Sequence, residues 1–222
     1  MNKKLLFGII CLFVCVIGCA DKRKYHDTIK SDIIVSDNSE IVKEILLFQK
    51  ELNEEFKNPD TSPLPDRYRK DFEGLDFFQP DTSFRVIASL ERTADAIPFM
   101  MPTTTDRLSE EVVYGIANFT VNGKNYSLEV YQNLELVETA EYKDYLFLPF
   151  LDNTNGEETY TGGRYLDLAI PEGNSMILDF NRAYNPYCAY NKKYSCPIVP
   201  KRNSLNTKIK AGVKSFKPKS NK

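Results

Sequence analysis

The sequence predicts an α+β domain: a mainly antiparallel sheet, open or barrel-like, with an N-terminal amphipathic helix before it and a short C-terminal helix after it. Three observations carry this expectation. One helical apolar stripe lies early in the chain, at least six strand-like runs follow, and an Asn-Gly turn joins two of them.

The helix comes first. Ile41, Ile45, Phe48, Leu52 and Phe56 recur at spacings of 4, 3, 4 and 4, which puts all five on one face. Asp37 followed by Glu40 resembles a capping box, and Asn58-Pro59 ends the helix. Residues 65–72 predict a further helical turn closed by Gly74. Phe84 to Leu90 is the first strand. Val112 to Val121 and Asn125 to Tyr131 flank Asn122-Gly123, the strongest short hairpin signal. Alternation of Val113, Gly115, Ala117, Phe119 and Val121 with more polar neighbours buries one face of that strand. Leu146 to Leu151 is an apolar strand. Arg164 to Ile170 and Ser175 to Phe180 flank Pro171-Glu172-Gly173-Asn174 and predict a second hairpin. Asn203 or Ser204 caps the expected final helix, which runs to about Lys210 before Gly212.

The N-terminus predicts a compartment. Lys3 and Lys4 precede an uncharged, mostly apolar run from Leu5 to Ile17, shorter than the about 20 residues a membrane helix needs. The run ends Val16-Ile17-Gly18-Cys19, which resembles a bacterial lipobox; the rival Cys15 follows bulky Val14. Residues 1–18 are therefore expected to be a lipoprotein signal peptide, with Cys19 acylated. Each buried acyl methylene contributes about 0.8 kcal/mol, so two or three chains make a lasting anchor in the lipid bilayer. Residues 19–38 then form a polar tether, 39–216 one globular domain, and 217–222 a basic tail. Asp27-Thr28-Ile29 in the tether resembles an O-glycosylation acceptor. The domain is expected to face the periplasm or the cell surface.

Losing the signal peptide removes Lys3 and Lys4 and no acids, which takes the formal charge from −2 to −4. A weakly acidic chain whose only basic stretch is its end (Lys208, Lys210, Lys214, Lys217, Lys219, Lys222) argues against nucleic-acid binding. That stretch reads as a solvated helix face and a frayed tail.

Only Cys188 and Cys196 remain in the domain, eight positions apart. In an oxidising compartment a disulfide is the first reading, two structural thiols the second, and a zinc site the third. The sole histidine is His26, in the tether, so a histidine-based nucleophilic system or histidine-ligated metal has no partner in the domain. Walker A and GxGxxG loops are absent, and no cofactor is expected.

What remains is a polar and aromatic concentration between residues 142 and 194, where eight of the 13 tyrosines lie. Asp152, Thr154, Glu158, Tyr160, Arg164, Asp179, Asn181, Tyr184 and Asn185 are the candidate ligand pocket for a small anionic or polar molecule. Arg164 follows Gly162-Gly163, and its guanidinium is a rigid fork of donors suited to an anion. The bland reading is that these residues fix loops, Asn and Asp by bonding turn backbones and Tyr by covering the core. Asp152-Asn153-Thr154-Asn155-Gly156-Glu157-Glu158 has the composition, not the spacing, of a calcium loop.

Several blocks resemble one family. They are PFMMPTTT (98–105), YGIANFTVNGKNYSLEVYQ (114–132), LFLPF (146–150), ETYTGGRYLDL (158–168), DFNRAYNPYCAYN (179–191) and YSCPIVP (194–200). Together they resemble a bacterial family of exported or secreted proteins whose domain has no assigned function. The resemblance spans roughly residues 41–216 and implies a shared fold and export, with no catalytic residues to carry over. The sequence thus points to an envelope lipoprotein serving as a ligand-binding or structural module. The alternative is a carboxylate-based envelope hydrolase using Asp152, Glu158 and Asp179 with Arg164.

Overall fold

The computed structural model describes residues 38–218. The signal peptide, Cys19, nearly all of the tether with its glycosylation-like motif, Asp37 and the last tail residues lie outside the described residues. Helix α1 (Asn38–Lys57) forms on the expected stripe, burying Ile45 and Phe56, and a short α2 (Asp66–Arg69) follows. Phe56 packs its ring edge-on against Tyr190 at 4.8 Å, which joins the helix to the C-terminal third of the chain. No described helix is long and apolar enough to cross a membrane.

The strands are β1 (Arg85–Arg92), β2 (Phe99–Pro102), β3 (Leu108–Val121), β4 (Lys124–Asn133), β5 (Tyr145–Asp152), β6 (Arg164–Ala169), β7 (Ser175–Asp179) and the two-residue β8 (Ser204–Leu205). They form one sheet in the order β6-β5-β4-β3-β1-β7, with β2 on β3 and β8 on β5; all pairings except β5 with β8 are antiparallel. The β3–β4 hairpin closes through Asn122 (φ 51) and Gly123 (φ 70), the two left-handed residues a type I′ turn requires. A bulge between Val113 and Gly115 lets one long strand serve β2 with its first half and β1 with its second.

The second hairpin expected from the sequence does not form. β6 pairs with β5, while β7 pairs with β1 at the far end of the sheet. The connection between them is committed elsewhere: the Ile170 N–H donates to the Asp144 carbonyl, and the Leu90 N–H donates to the Asn174 carbonyl. Five residues therefore link the two ends of the sheet path, and the sheet must curl into a half-barrel to allow it. Phe180, just after β7, fills the trough, its ring 5.7 Å from Phe119 and 5.1 Å from Phe150. The inner face carries the main core, including Ala88, Ala117, Leu128, Leu148, Leu166 and Leu178. Part of the outer face is covered by a second cluster of Met101, Tyr131, Phe147, Tyr165 and Val199.

The expected C-terminal helix is also absent. Residues 203–210 hold no helix: Ser204–Leu205 pairs parallel with Leu151–Asp152, and the chain bends at 206–207. The Asn203 side chain does not cap a helix; it donates to the carbonyls of Glu129 and Pro149 and accepts the Glu129 N–H. Three bonds to two different strands outweigh a marginal local helix of this length. The lysines of this stretch meet acids singly: Lys208 with Glu157, Lys210 with Glu158 and Lys214 with Asp76.

Candidate functional site

Arg164 opens β6 on its inner face. Gly163 before it holds φ 90, and a Cβ there would come within 2.6 Å of the Phe150 carbonyl oxygen, so this close approach requires glycine. Arg164 is fully buried. Its Nη2 donates to Asp152 Oδ2 at 2.7 Å and to the Ile209 carbonyl at 2.8 Å, and its Nη1 donates to the Ala211 carbonyl. The guanidinium lies 5.2 Å from the Phe150 ring centroid. Burial lowers the Arg164 pKa, and the Asp152 carboxylate opposes that shift. Asp152 Oδ1 accepts the Thr154 and Ile209 N–H groups, and Thr154 bonds Thr159 hydroxyl to hydroxyl at 2.8 Å. Glu158, at the rim, meets Lys210 at 3.2 Å. These residues tie the 152–159 loop to the C-terminal segment.

The other expected pocket residues go to different places. Asp179 Oδ1 accepts from both the Asn181 N–H and its side-chain amide, and Asn181 exchanges two bonds with the Asp81 backbone. Burial pushes the Asp179 carboxyl up. Arg85 bridges Glu44 of α1 at 2.9 Å and Asp179 at 3.6 Å. Asn185 donates to the Lys214 carbonyl. Tyr184 points to the outer face of the sheet, where it donates to Asp167 Oδ1 at 2.6 Å; Tyr145 donates to the same oxygen at 2.8 Å. Burial raises the Asp167 pKa against the pull of these two hydroxyls. Two surface hollows open elsewhere, one between α1 and residues 77–82 and one beside Arg92 to Ala96, and none of the nine expected pocket residues lines either. Among the described residues no group of three or more acidic, cysteine or histidine side chains is placed to hold a metal ion.

A second buried acid on the outer face is Glu111 of β3, 2 % exposed. Its Oε1 accepts from Ser109 and from the Asn133 amide, while Oε2 has no partner. Burial raises its pKa above 4.5, against those two hydrogen bonds. The folded carboxyl therefore keeps its proton at a pH where the unfolded chain has lost it. The stability that Glu111 contributes is fully present below 4.5 and is lost as pH rises through the raised folded value. Glu111→Gln is expected to melt close to the wild type in acid and above it at neutral pH. Melting curves taken from about pH 4 to 8 check this, and a constant offset between the two proteins would contradict it.

The two cysteines lie side by side as thiols. Cys188 is half-buried in the turn at Tyr187–Ala189, and Cys196 is buried. The Cys188 N–H donates to Cys196 Sγ at 3.2 Å. Tyr160 Oη stands 3.9 Å from Cys188 Sγ, and the Thr104 hydroxyl accepts the Cys196 N–H at 3.1 Å while donating to the Tyr194 carbonyl. The neighbouring Cys196 thiol lowers the Cys188 pKa although burial opposes it, with Tyr160 adding to the lowering; the same contact pushes the Cys196 thiol up. Burial pushes the Tyr160 phenol up to about 12.

Residues 70–214 match the model of a family described as a protein of unknown function, DUF1684. The chain belongs to the DUF1684 family. Among solved structures, it is similar to the solution NMR structure of an uncharacterized protein of Haloarcula marismortui, at 31% identity and a TM-score of 0.62. That likeness covers 79% of this chain and 95% of the other. No curated protein matches the chain. The DUF1684 match takes in β1 to β8, both cysteines and all nine expected pocket residues, and begins after α1.

The sequence reading passed over Glu111, Asp167 and Thr104. Glu111 and Asp167 are acids in strand segments, which ordinarily mark a solvent face; only the cover laid over the outer face buries them. A usable signal was Phe147, Pro149 and Tyr165 on one face of β5 and β6, which makes the face that carries Asp167 too apolar for open solvent. Thr104 meets the cysteines across a sequence separation of 92 residues, which no local pattern encodes.

Proposed function

We propose that this DUF1684 chain is a membrane-anchored envelope lipoprotein whose domain serves as a ligand-binding or structural module. The anchor rests on the Val16-Ile17-Gly18-Cys19 lipobox and the short apolar run before it. The non-enzymatic reading rests on one observation above others: the Arg164–Asp152 pair has both side chains at 0 % exposure, with both guanidinium Nη atoms and both carboxylate oxygens engaged by internal partners. The carboxylate-hydrolase alternative asks for an acid free to meet substrate beside Arg164. Asp152 instead holds Arg164, Thr154 and Ile209 in the interior, and Asp179 is engaged by Asn181.

Replacing Cys19 with Ser tests the anchor. The wild type is expected in the detergent phase on phase partitioning. Cys19→Ser is expected as soluble protein or as an unprocessed precursor. Normal processing with unchanged partitioning would overturn the lipoprotein reading.

A further inference from the structure

The cysteine pair has a composition that a plain structural staple does not need. One sulfur is half-buried and reachable, the other is buried and accepts the Cys188 N–H, and the Tyr160 hydroxyl meets the reachable one. Tyr160 arrives from the loop before β6, and Thr104, from the loop after β2, holds the Cys196 backbone N–H. A stable disulfide has no thiolate for the Tyr160 donor to serve. A reduced pair does, because a thiolate is the nucleophile in exchange and gains from hydrogen bonds to its charge.

We infer that Cys188 is the attacking thiol of a thiol–disulfide exchange site, with Cys196 as the resolving thiol and a small or protein disulfide as substrate. The Cys188 thiolate attacks one sulfur of the substrate disulfide and the substrate S–S bond breaks. The other half leaves as a thiolate and takes the Cys196 proton. Cys196 Sγ then attacks Cys188 Sγ and expels the first half, also as a thiolate, which takes from water the proton that Cys188 had given up. The two cysteines lose two electrons to become one disulfide, and the substrate gains two to become two thiols. The order follows from the geometry: while Cys188 is charged it accepts from Cys196 and holds that proton in place, and once Cys188 is in the mixed disulfide the hold is gone. Tyr160 acts by positioning and by donating to the Cys188 thiolate; its raised pKa keeps it protonated while it does so. The inference is independent of the lipid anchor, because it draws only on residues 104, 160, 188 and 196.

The test uses the full-length reduced protein in detergent with oxidised glutathione as the probe. At about pH 5.5, where an ordinary thiol is almost wholly protonated, Cys188 is expected to react about tenfold faster than a cysteine in an unfolded peptide. The wild type should end as a Cys188–Cys196 disulfide that reduced glutathione reopens. Cys196→Ser should stop with glutathione on Cys188, and Cys188→Ser should leave Cys196 unmodified. Tyr160→Phe should move the pH midpoint of Cys188 alkylation upward without changing the melting temperature of the oxidised protein. Should a serine variant fail to fold, the alkylation midpoint of each cysteine in the wild type, mapped by mass spectrometry, decides alone. Cys188 titrating as an ordinary thiol would overturn the inference, as would a disulfide that forms and is then opened by dithiothreitol but not by glutathione.

Discussion

Arg164→Ala is expected to be among the most damaging single substitutions in the domain. It leaves the Asp152 carboxylate buried without its cation and strips the Ala211 and Ile209 carbonyls of their donors. Breaking a buried pair by removing one partner costs about 3–5 kcal/mol. For a domain of this size that lowers the melting temperature by roughly 6–20 °C. Since whole domains are stable by about 5–15 kcal/mol, the variant would lose a large share of its margin. Arg164→Lys keeps a charge but offers one compact ammonium where a planar fork reaches three oxygens, so it should fall between Ala and the wild type. Thermal or denaturant unfolding of the three proteins checks the order. A melting temperature unchanged in Arg164→Ala would contradict the clamp.

Asn203→Ala carries the second large effect. β4 and β5 pair at Tyr131 and Phe147, and the chain around Asn203 occupies the gap where they part. Its Oδ1 accepts the Glu129 N–H at 2.9 Å, its Nδ2 donates to the Glu129 and Pro149 carbonyls at 2.8 Å each, and its own carbonyl accepts the Leu151 N–H at 2.8 Å. Truncation strands three backbone groups, and a buried group left without its partner costs about 1–3 kcal/mol. Partial rewetting holds the total to about 2–4 kcal/mol. Asn203→Asp is expected to lose at least as much despite its identical shape, because an oxygen would then face two carbonyl oxygens. Amide exchange at Glu129 should quicken in Asn203→Ala, which removes the acceptor of that N–H. A normal melting temperature in Asn203→Asp would show that the amide is not the tie.

How much of this was legible in the sequence depends on the range of the signal. Helix α1 is written in a five-residue apolar stripe, and the β3–β4 hairpin in one dipeptide, because both are decided by neighbours along the chain. The partners of β6 and β7 are not. A four-residue connection with Pro and Gly reads as a turn, yet the carbonyl of Asn174 and the N–H of Ile170 are claimed by other segments. That one error displaced Arg164: a hairpin of residues 164–170 with 175–180 would set it beside Asp179, whereas on β5's flank it meets Asp152. Asn203 misled for a related reason, since the side chain that suits a helix cap suits backbone bridging equally well. The alternative that these polar residues fix loops was legible from residue type alone. The cysteine pair was legible from spacing, but the two hydroxyls beside it come from 28 and 84 residues before Cys188 and could only be seen folded.

The claim at the centre of this account is that Arg164 and Asp152 form one interior clamp. A double-mutant cycle over Arg164→Met, Asp152→Leu and the two together tests it most directly by unfolding free energy. Each single change should cost about 3–5 kcal/mol, because each leaves the opposite charge buried alone. The double change should cost well under their sum, with a coupling of at least about 1.5 kcal/mol, because no charge is then stranded. Strictly additive losses would mean that the two side chains do not depend on each other, and the clamp would be wrong.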